Sequence, residues 1–125
     1  MKAYKLYNRD SWGSEYDEIY SINYSKITQL FNDRIREAIK EIGSDIASID
    51  DFREEILSIK ENNKYREACK HAPVEILCRK YPILITKDCN MIIANIYYWE
   101  RTSHEYSEYD VESNTIIIEE IDVIE

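Results

Sequence analysis

The segment that decides the fold is Tyr24-Ser25-Lys26-Ile27-Thr28-Gln29-Leu30-Phe31-Asn32-Asp33-Arg34-Ile35-Arg36-Glu37-Ala38-Ile39-Lys40-Glu41-Ile42. Its apolar residues recur every three or four positions and its charged residues fall between them, which is the pattern of an amphipathic helix. Asn23 or Ser25 can cap the first turn, and Gly43 stands where a left-handed residue can end a helix. We therefore predict a helix over 24–42 that packs its apolar side against a sheet.

The segments on either side of this helix predict strands before it and a mixture of helices and strands after it. Residues 3–8 and 16–22 are typical of a β-hairpin. Ser48 can cap a second helix that runs to about residue 61, and a short third helix over 64–72 would follow the interruption at Asn62-Asn63 and end at Pro73. Further strands are predicted at 74–78, 83–86, 91–99 and 115–124, with an acidic loop at 100–114.

This order of elements predicts an α+β fold, with an antiparallel or mixed sheet of five to six strands and two to three helices packed on one face. A chain of 125 residues is expected to form a single domain, 1–125. Strands 91–99 and 115–124 are apolar on both faces, so each face should be covered. With helices on one face, a second subunit is expected on the other, which predicts a homo-oligomer, in the simplest case a dimer.

The formal charge of −9 is concentrated near the end of the chain. Residues 100–125 contain nine carboxylates and one cation, Arg101, which gives −8 and leaves −1 for residues 1–99. An acidic edge repels phosphate backbones and attracts basic surfaces. We therefore expect a protein partner with a basic surface. We do not expect direct binding of nucleic acid.

Sequence features that mark membrane insertion or secretion are not seen. No window approaches eighteen apolar residues, and the first residues lack a long apolar run. Three cysteines without a C-x-x-C pair fit reduced thiols. We expect a cytoplasmic protein that has no membrane partner.

Catalytic and metal-binding signatures are also missing. With two glycines the chain has no phosphate-binding loop, no dinucleotide fingerprint and no nucleophile elbow. The cysteines and histidines lack the paired spacing of zinc ligands, and buried structural thiols are the better explanation for Cys69, Cys78 and Cys89. We expect no enzymatic activity, no metal site and no cofactor.

Aromatic residues beside the acidic segment are the best candidates for a binding surface. Trp12 lies in a polar loop in which a Trp side chain is hard to bury, and exposed Trp, Tyr and Arg are enriched in binding interfaces. Ordinary core tyrosines remain the alternative for any single residue. The candidate binding residues are Trp12, Tyr16, Tyr97, Trp99, Arg101, Glu105, Glu108, Asp110 and Glu112.

Three parts of the sequence carry a family resemblance. Met1-Lys2-Ala3-Tyr4-Lys5-Leu6 and Ser11-Trp12-Gly13-Ser14-Glu15, followed by a strand and a helix, resemble small acidic phage and prophage proteins. The segment Ile117-Ile118-Glu119-Glu120-Ile121-Asp122-Val123 is similar to their closing strand. The resemblance covers about a third of the chain and implies the class that includes inhibitors of host defence, such as anti-CRISPR proteins.

Two functional hypotheses follow. The first is a non-enzymatic phage-type binding protein that inhibits a host defence protein through its acidic, Tyr-rich surface. The alternative is an oligomeric small-molecule binder that sequesters a nucleotide immune signal, in pockets lined by Tyr and Trp with Arg101 or Arg79.

Overall fold

A computed structural model describes residues 1–78, 83–103 and 108–124, and within them it has six strands and two α-helices. The elements are β1 (Lys2–Arg9), β2 (Glu15–Ser21), α1 (Tyr24–Ile42), α2 (Arg53–Ala68), β3 (Glu75–Cys78), β4 (Ile83–Asp88), β5 (Met91–Ser103) and β6 (Glu108–Asp122). Two short 3₁₀ turns, Gly43–Asp45 and Ile49–Phe52, connect α1 to α2. The predicted α+β class is confirmed.

The strands form one antiparallel sheet in the order β2-β1-β6-β5-β4-β3. Because β6 lies between β1 and β5, it joins the N-terminal hairpin to the rest of the sheet. Directly opposed residues share a face. Leu6, Ile118 and Ile92 are aligned on one side, which we call the α1 face, and Tyr7, Ile117 and Ile93 on the other, the α2 face.

Helix α1 covers the first of these faces as the sequence predicts. Ile27, Phe31 and Ile35 are buried, and Leu30 and Ile39 are half-buried against the same core. The sheet residues of this core are Leu6, Ala94, Ile96, Ile116 and Ile118. The Asn23 side chain accepts a hydrogen bond from the Lys26 amide at 3.1 Å, and Gly43 ends the helix with a φ of 63°.

After α1 the chain passes to the other side of the sheet. Pairing between β4 and β5 begins at Ile83 and Ile96, and just beyond it the Ala47 amide donates to the Tyr97 carbonyl at 2.9 Å. Phe52 is buried, and its ring lies 4.5 Å from that of Tyr97, centroid to centroid. Helix α2 therefore begins over the α2 face, so the two helices lie on opposite faces and not on one as predicted.

Helix α2 is continuous where two helices were predicted. Asn63 does not interrupt it, because its side-chain amide is used outside the helix: it donates to the Val74 carbonyl at 3.0 Å and accepts from the Val74 amide at 2.7 Å. Arg66 adds a second attachment, to the Ala72 carbonyl at 2.8 Å and to the Asp88 carboxylate at 3.0 Å. These bonds hold the C-terminal half of α2 to the chain that enters β3 and to the end of β4.

The predicted acidic loop over 100–114 is wrong, since β5 and β6 remain paired through most of it. Their register continues from Tyr97 opposite Ser113 to Ser103 opposite Glu108. Pairing with β1 ends at Thr115. We call residues 97–103 and 108–114, which extend beyond this point, the β5–β6 arm. The acids suggested a loop, but a strand exposed on one face tolerates charge at alternate positions.

The sequence predicted buried cysteines, and this prediction is wrong for Cys69 and Cys89. Cys69 lies at the end of α2 and Cys89 in the turn between β4 and β5, and both are exposed. The Cys78 side chain lies outside the described part of the structure. No helix of the described residues is long and apolar enough to cross a membrane.

Candidate functional site

Within the described residues, the β5–β6 arm carries its acidic side chains on one face and most of its aromatic side chains, all but Tyr98, on the other. On the α1 face, Tyr98 is opposite Glu112, and Glu100 is opposite Asp110. On the α2 face, Trp99 is opposite Val111, and Tyr109 follows one pair further out. This separation results from the two-residue period of a strand, which places alternate residues on opposite faces. A projecting ribbon thus presents a negative side and an aromatic side.

The acidic side continues onto the C-terminal end of α1. Glu41 and Asp45 border a shallow recess together with Tyr98 and Glu100. None of the ion pairs formed within the described residues involves these carboxylates or those of the arm. Burial, followed by the charges of Glu100 and Glu112, raises the pKa of Tyr98. We call Glu41, Asp45, Glu100, Asp110 and Glu112 the acidic face.

The aromatic side of the arm is partly open to solvent. The exposed fraction is 37% for Trp99 and 50% for Tyr109. Tyr97 differs from them because its ring packs against Phe52, and burial, with a smaller contribution from the charge of Glu55, raises its pKa to about 12. Tyr97 therefore belongs to the interior contact between α2 and the sheet, and the exposed aromatic groups of the arm are Trp99 and Tyr109.

Trp12 and Tyr16 lie at the same end of the sheet as the arm. Arg9, the last residue of β1, pairs with Thr115 at the base of the arm. The turn between β1 and β2 therefore lies next to the base of the arm. The Asp10 carboxylate shapes this turn by accepting hydrogen bonds from the amides of Trp12 and Ser14, both at 2.9 Å. The Trp12 side chain is 92% exposed. Tyr16 is exposed on β2 and pairs with Asn8 on the α1 face.

Some of the predicted residues are described in part or not at all. Arg101 pairs with Tyr109 and Glu108 with Ser103 in the backbone register, while their side chains lie outside the described residues. Glu105 and Arg79 lie outside the described residues altogether.

Tyr109, Glu41 and Asp45 belong to this surface but were not among the predicted residues. The alternation of Asp110, Val111 and Glu112 could have indicated a strand and placed Tyr109 on the aromatic side. Glu41 and Asp45 carried no such signal, because their approach to the arm depends on how α1 crosses the sheet.

Comparison of the chain with protein-family models, with curated proteins and with solved structures finds no match. Within the described residues, no three His, Cys, Asp or Glu side chains are grouped as metal ligands would be.

Proposed function

We propose that this is a non-enzymatic binding protein that docks its β5–β6 arm onto a basic surface of another protein. The observation that supports this most directly is the separation of the arm into an acidic and an aromatic side. Such a ribbon can enter a groove that evolved to hold a phosphate backbone, with its carboxylates in place of the phosphates.

The two sides of the arm have different roles in this proposal. The acidic face attracts a cationic partner over a distance set by ionic strength, about 8 Å at physiological salt. Each exposed ion pair is worth little, on the order of 0.2–1 kcal/mol. Trp99 and Tyr109 supply the larger desolvated contacts that dominate interface energies. Charge therefore governs the rate of association, and the aromatic side chains govern the lifetime of the complex.

The biological setting that we propose is inhibition of a host defence protein by a phage product in the host cytoplasm. It is supported by the resemblance to small acidic phage proteins and by the chemistry of the arm. A defence protein that binds nucleic acid must carry a Lys- and Arg-rich groove. Covering that groove blocks its activity without any catalytic step.

The charge requirement is tested by reversing three acids of the arm, Glu100, Asp110 and Glu112, to Lys in one variant. After a partner has been captured from a bacterial lysate, its affinity for this variant is measured at low and at physiological salt. Wild-type binding should weaken as salt rises, and the variant should bind at least tenfold more weakly at low salt. The matched control reverses three exposed acids elsewhere, Glu61, Glu67 and Glu75, and should bind as wild type.

The aromatic requirement is tested by Trp99→Ala, which should cost at least 2 kcal/mol of binding, roughly thirtyfold, with little dependence on salt. Tyr65→Ala removes an exposed aromatic side chain from α2 and is its control. If the triple reversal binds as tightly as wild type at low salt, the acidic face only confers solubility. The nucleotide-binding alternative would then lead, and a thermal-shift screen of cyclic and ADP-ribose-type nucleotides would test it.

A further inference from the structure

Helix α2 is fixed to the sheet at its two ends but not along its length. Phe52 holds the start of the helix through Tyr97, and Asn63 and Arg66 hold its second half. Between these points no side chain of α2 is buried, whereas α1 buries three. A helix that packs on a sheet normally fills the space beneath it. Beneath α2 the space is filled only in part, since Leu84 and Thr86 are almost fully buried while an open cleft remains beside them.

This cleft is shallow and open to solvent, with a volume of about 490 Å³. Its floor is apolar where Leu84 and Ile93 of the α2 face line it, and Glu55, Ser58 and Ile59 of α2 form one wall. Leu84 is almost fully buried and Ile93 is half-buried. The site thus combines an apolar floor with a few polar groups, which is the composition of a pocket for a small organic molecule.

Glu55 is the unusual member of this lining. Its Oε2 atom is buried, and no described residue donates a hydrogen bond to it. A buried carboxylate oxygen without a donor is costly, so its position calls for a cationic or hydrogen-bonding partner. The Arg9 side chain also borders the cleft, but it does not supply that bond. The charge of Glu55 acts on the neighbouring Tyr97 hydroxyl, which places both groups at the same end of the cleft.

We propose that the cleft between α2 and the α2 face binds a small organic cation, a protonated amine or amidine attached to an apolar body. The cation donates to Glu55, and the apolar body covers the half-buried Ile93 and Ile59. Two carboxylates, Glu54 and Glu55, border the cleft against the single guanidinium of Arg9 among the described residues. The balance of charge therefore favours a cation over a phosphate-bearing ligand. This site is separate from the acidic face of the arm and does not depend on the proposed function.

The test uses benzamidine and phenethylamine as probes, with benzamide and 2-phenylethanol as neutral analogues of similar shape. Binding is followed on the full chain by amide chemical shifts in a two-dimensional NMR titration. The cations should give saturable shifts at Leu84, Thr86 and Ile93, and the neutral analogues should give none at the same concentrations. Glu55→Gln should weaken the binding of the cations about ten- to hundredfold, because it removes one charge-assisted hydrogen bond. Glu61→Gln, an exposed position on the same helix, should leave binding unchanged.

Three results would overturn the proposal: no saturable shift with either cation, equal shifts with the neutral analogues, or undiminished binding by Glu55→Gln. The comparison of cations with neutral analogues uses the wild-type protein alone, so it decides the question even if the Glu55 variant does not fold. Reversal of the arm acids should leave cation binding intact, so failure of the arm proposal and failure of this one can be told apart.

Discussion

At the level of single residues, Phe31 is the side chain on which the α1 core most depends. It is 4% exposed and lies in one cluster with Leu6 and Ile116. Phe31→Ala should reduce the free energy of unfolding by about 3–5 kcal/mol, since it removes buried apolar surface and leaves a cavity. Asn32→Ala, its exposed neighbour, should change it by less than about 0.5 kcal/mol. Chemical denaturation measures both, and an unchanged midpoint for Phe31→Ala would show that the buried side of α1 is misassigned.

Because of Tyr97, the free energy of unfolding should fall measurably at alkaline pH. Its pKa is raised in the folded protein to about 12 from the usual value of 10.0, because burial disfavours the phenolate. The stability that this contributes is fully present below pH 10 and is lost as the pH rises from 10 to 12. Denaturation midpoints over that range should fall more steeply for wild type than for Tyr97→Phe. Parallel slopes would contradict the assignment, since the other tyrosines are common to both proteins.

The sequence was a good guide to residues of α1 and a poor one to single residues elsewhere. The helical period of α1 identified Phe31 and Ile35 because every turn repeats the same information. The exposure of Cys69 and Cys89 and the partial burial of Tyr97 depend on where the chain runs after α1. No local sequence pattern predicts the path of the chain between α1 and α2.

At the level of elements, Asn63 is the clearest attachment of α2. Both hydrogen bonds of its side-chain amide go to the backbone of Val74. Asn63→Ala should cost about 1–3 kcal/mol, because it leaves part-buried amide and carbonyl groups without partners. The adjacent Asn62 is exposed, so Asn62→Ala is a matched control of nearly the same helix propensity. Equal denaturation midpoints for the two variants would show that the contact with Val74 contributes nothing.

The β5–β6 arm shows why an element can be missed even when its residues are recognised. The acids of 100–114 and the nearby Trp99 were proposed from the sequence as a binding surface, but the charge of this segment favoured a loop. Pairing over the whole length of the arm comes from the register that β5 and β6 already share in the sheet. That register is a property of two strands together and cannot be read from either one.

At the level of the whole molecule, the α+β class could be predicted, whereas the placement of the helices could not. The order of strands and helices can be predicted from the spacing of the apolar residues. The side of the sheet on which α2 lies is decided by a few contacts, chiefly the Ala47 bond to Tyr97 and the packing of Phe52. These residues were not distinguishable in advance from others of the same type.

The predicted homodimer now requires a different surface. It was inferred from strands that are apolar on both faces, and α2 lies over the second face. The remaining exposed apolar side chains include Ile19 and Tyr20 on the edge strand β2, so we predict self-association there. Light scattering at micromolar concentration should give twice the chain mass of 15.0 kDa, and Tyr20→Lys should halve it. A wild-type mass of one chain would contradict the dimer.

The central position of β6 also dictates when the protein can fold during its synthesis. β6 follows every other element in the chain and yet forms the seam between β1 and β5. A nascent chain that has just released β5 from the ribosome holds the β1–β2 hairpin and the β3–β5 meander as separate pieces, with Leu6 and Ala94 still unjoined. The apolar side of α1 lacks its contacts with Ile116 and Ile118 of β6 through that interval. We therefore expect the sheet to be completed only when β6 emerges, and the chain to be most prone to aggregation before that point.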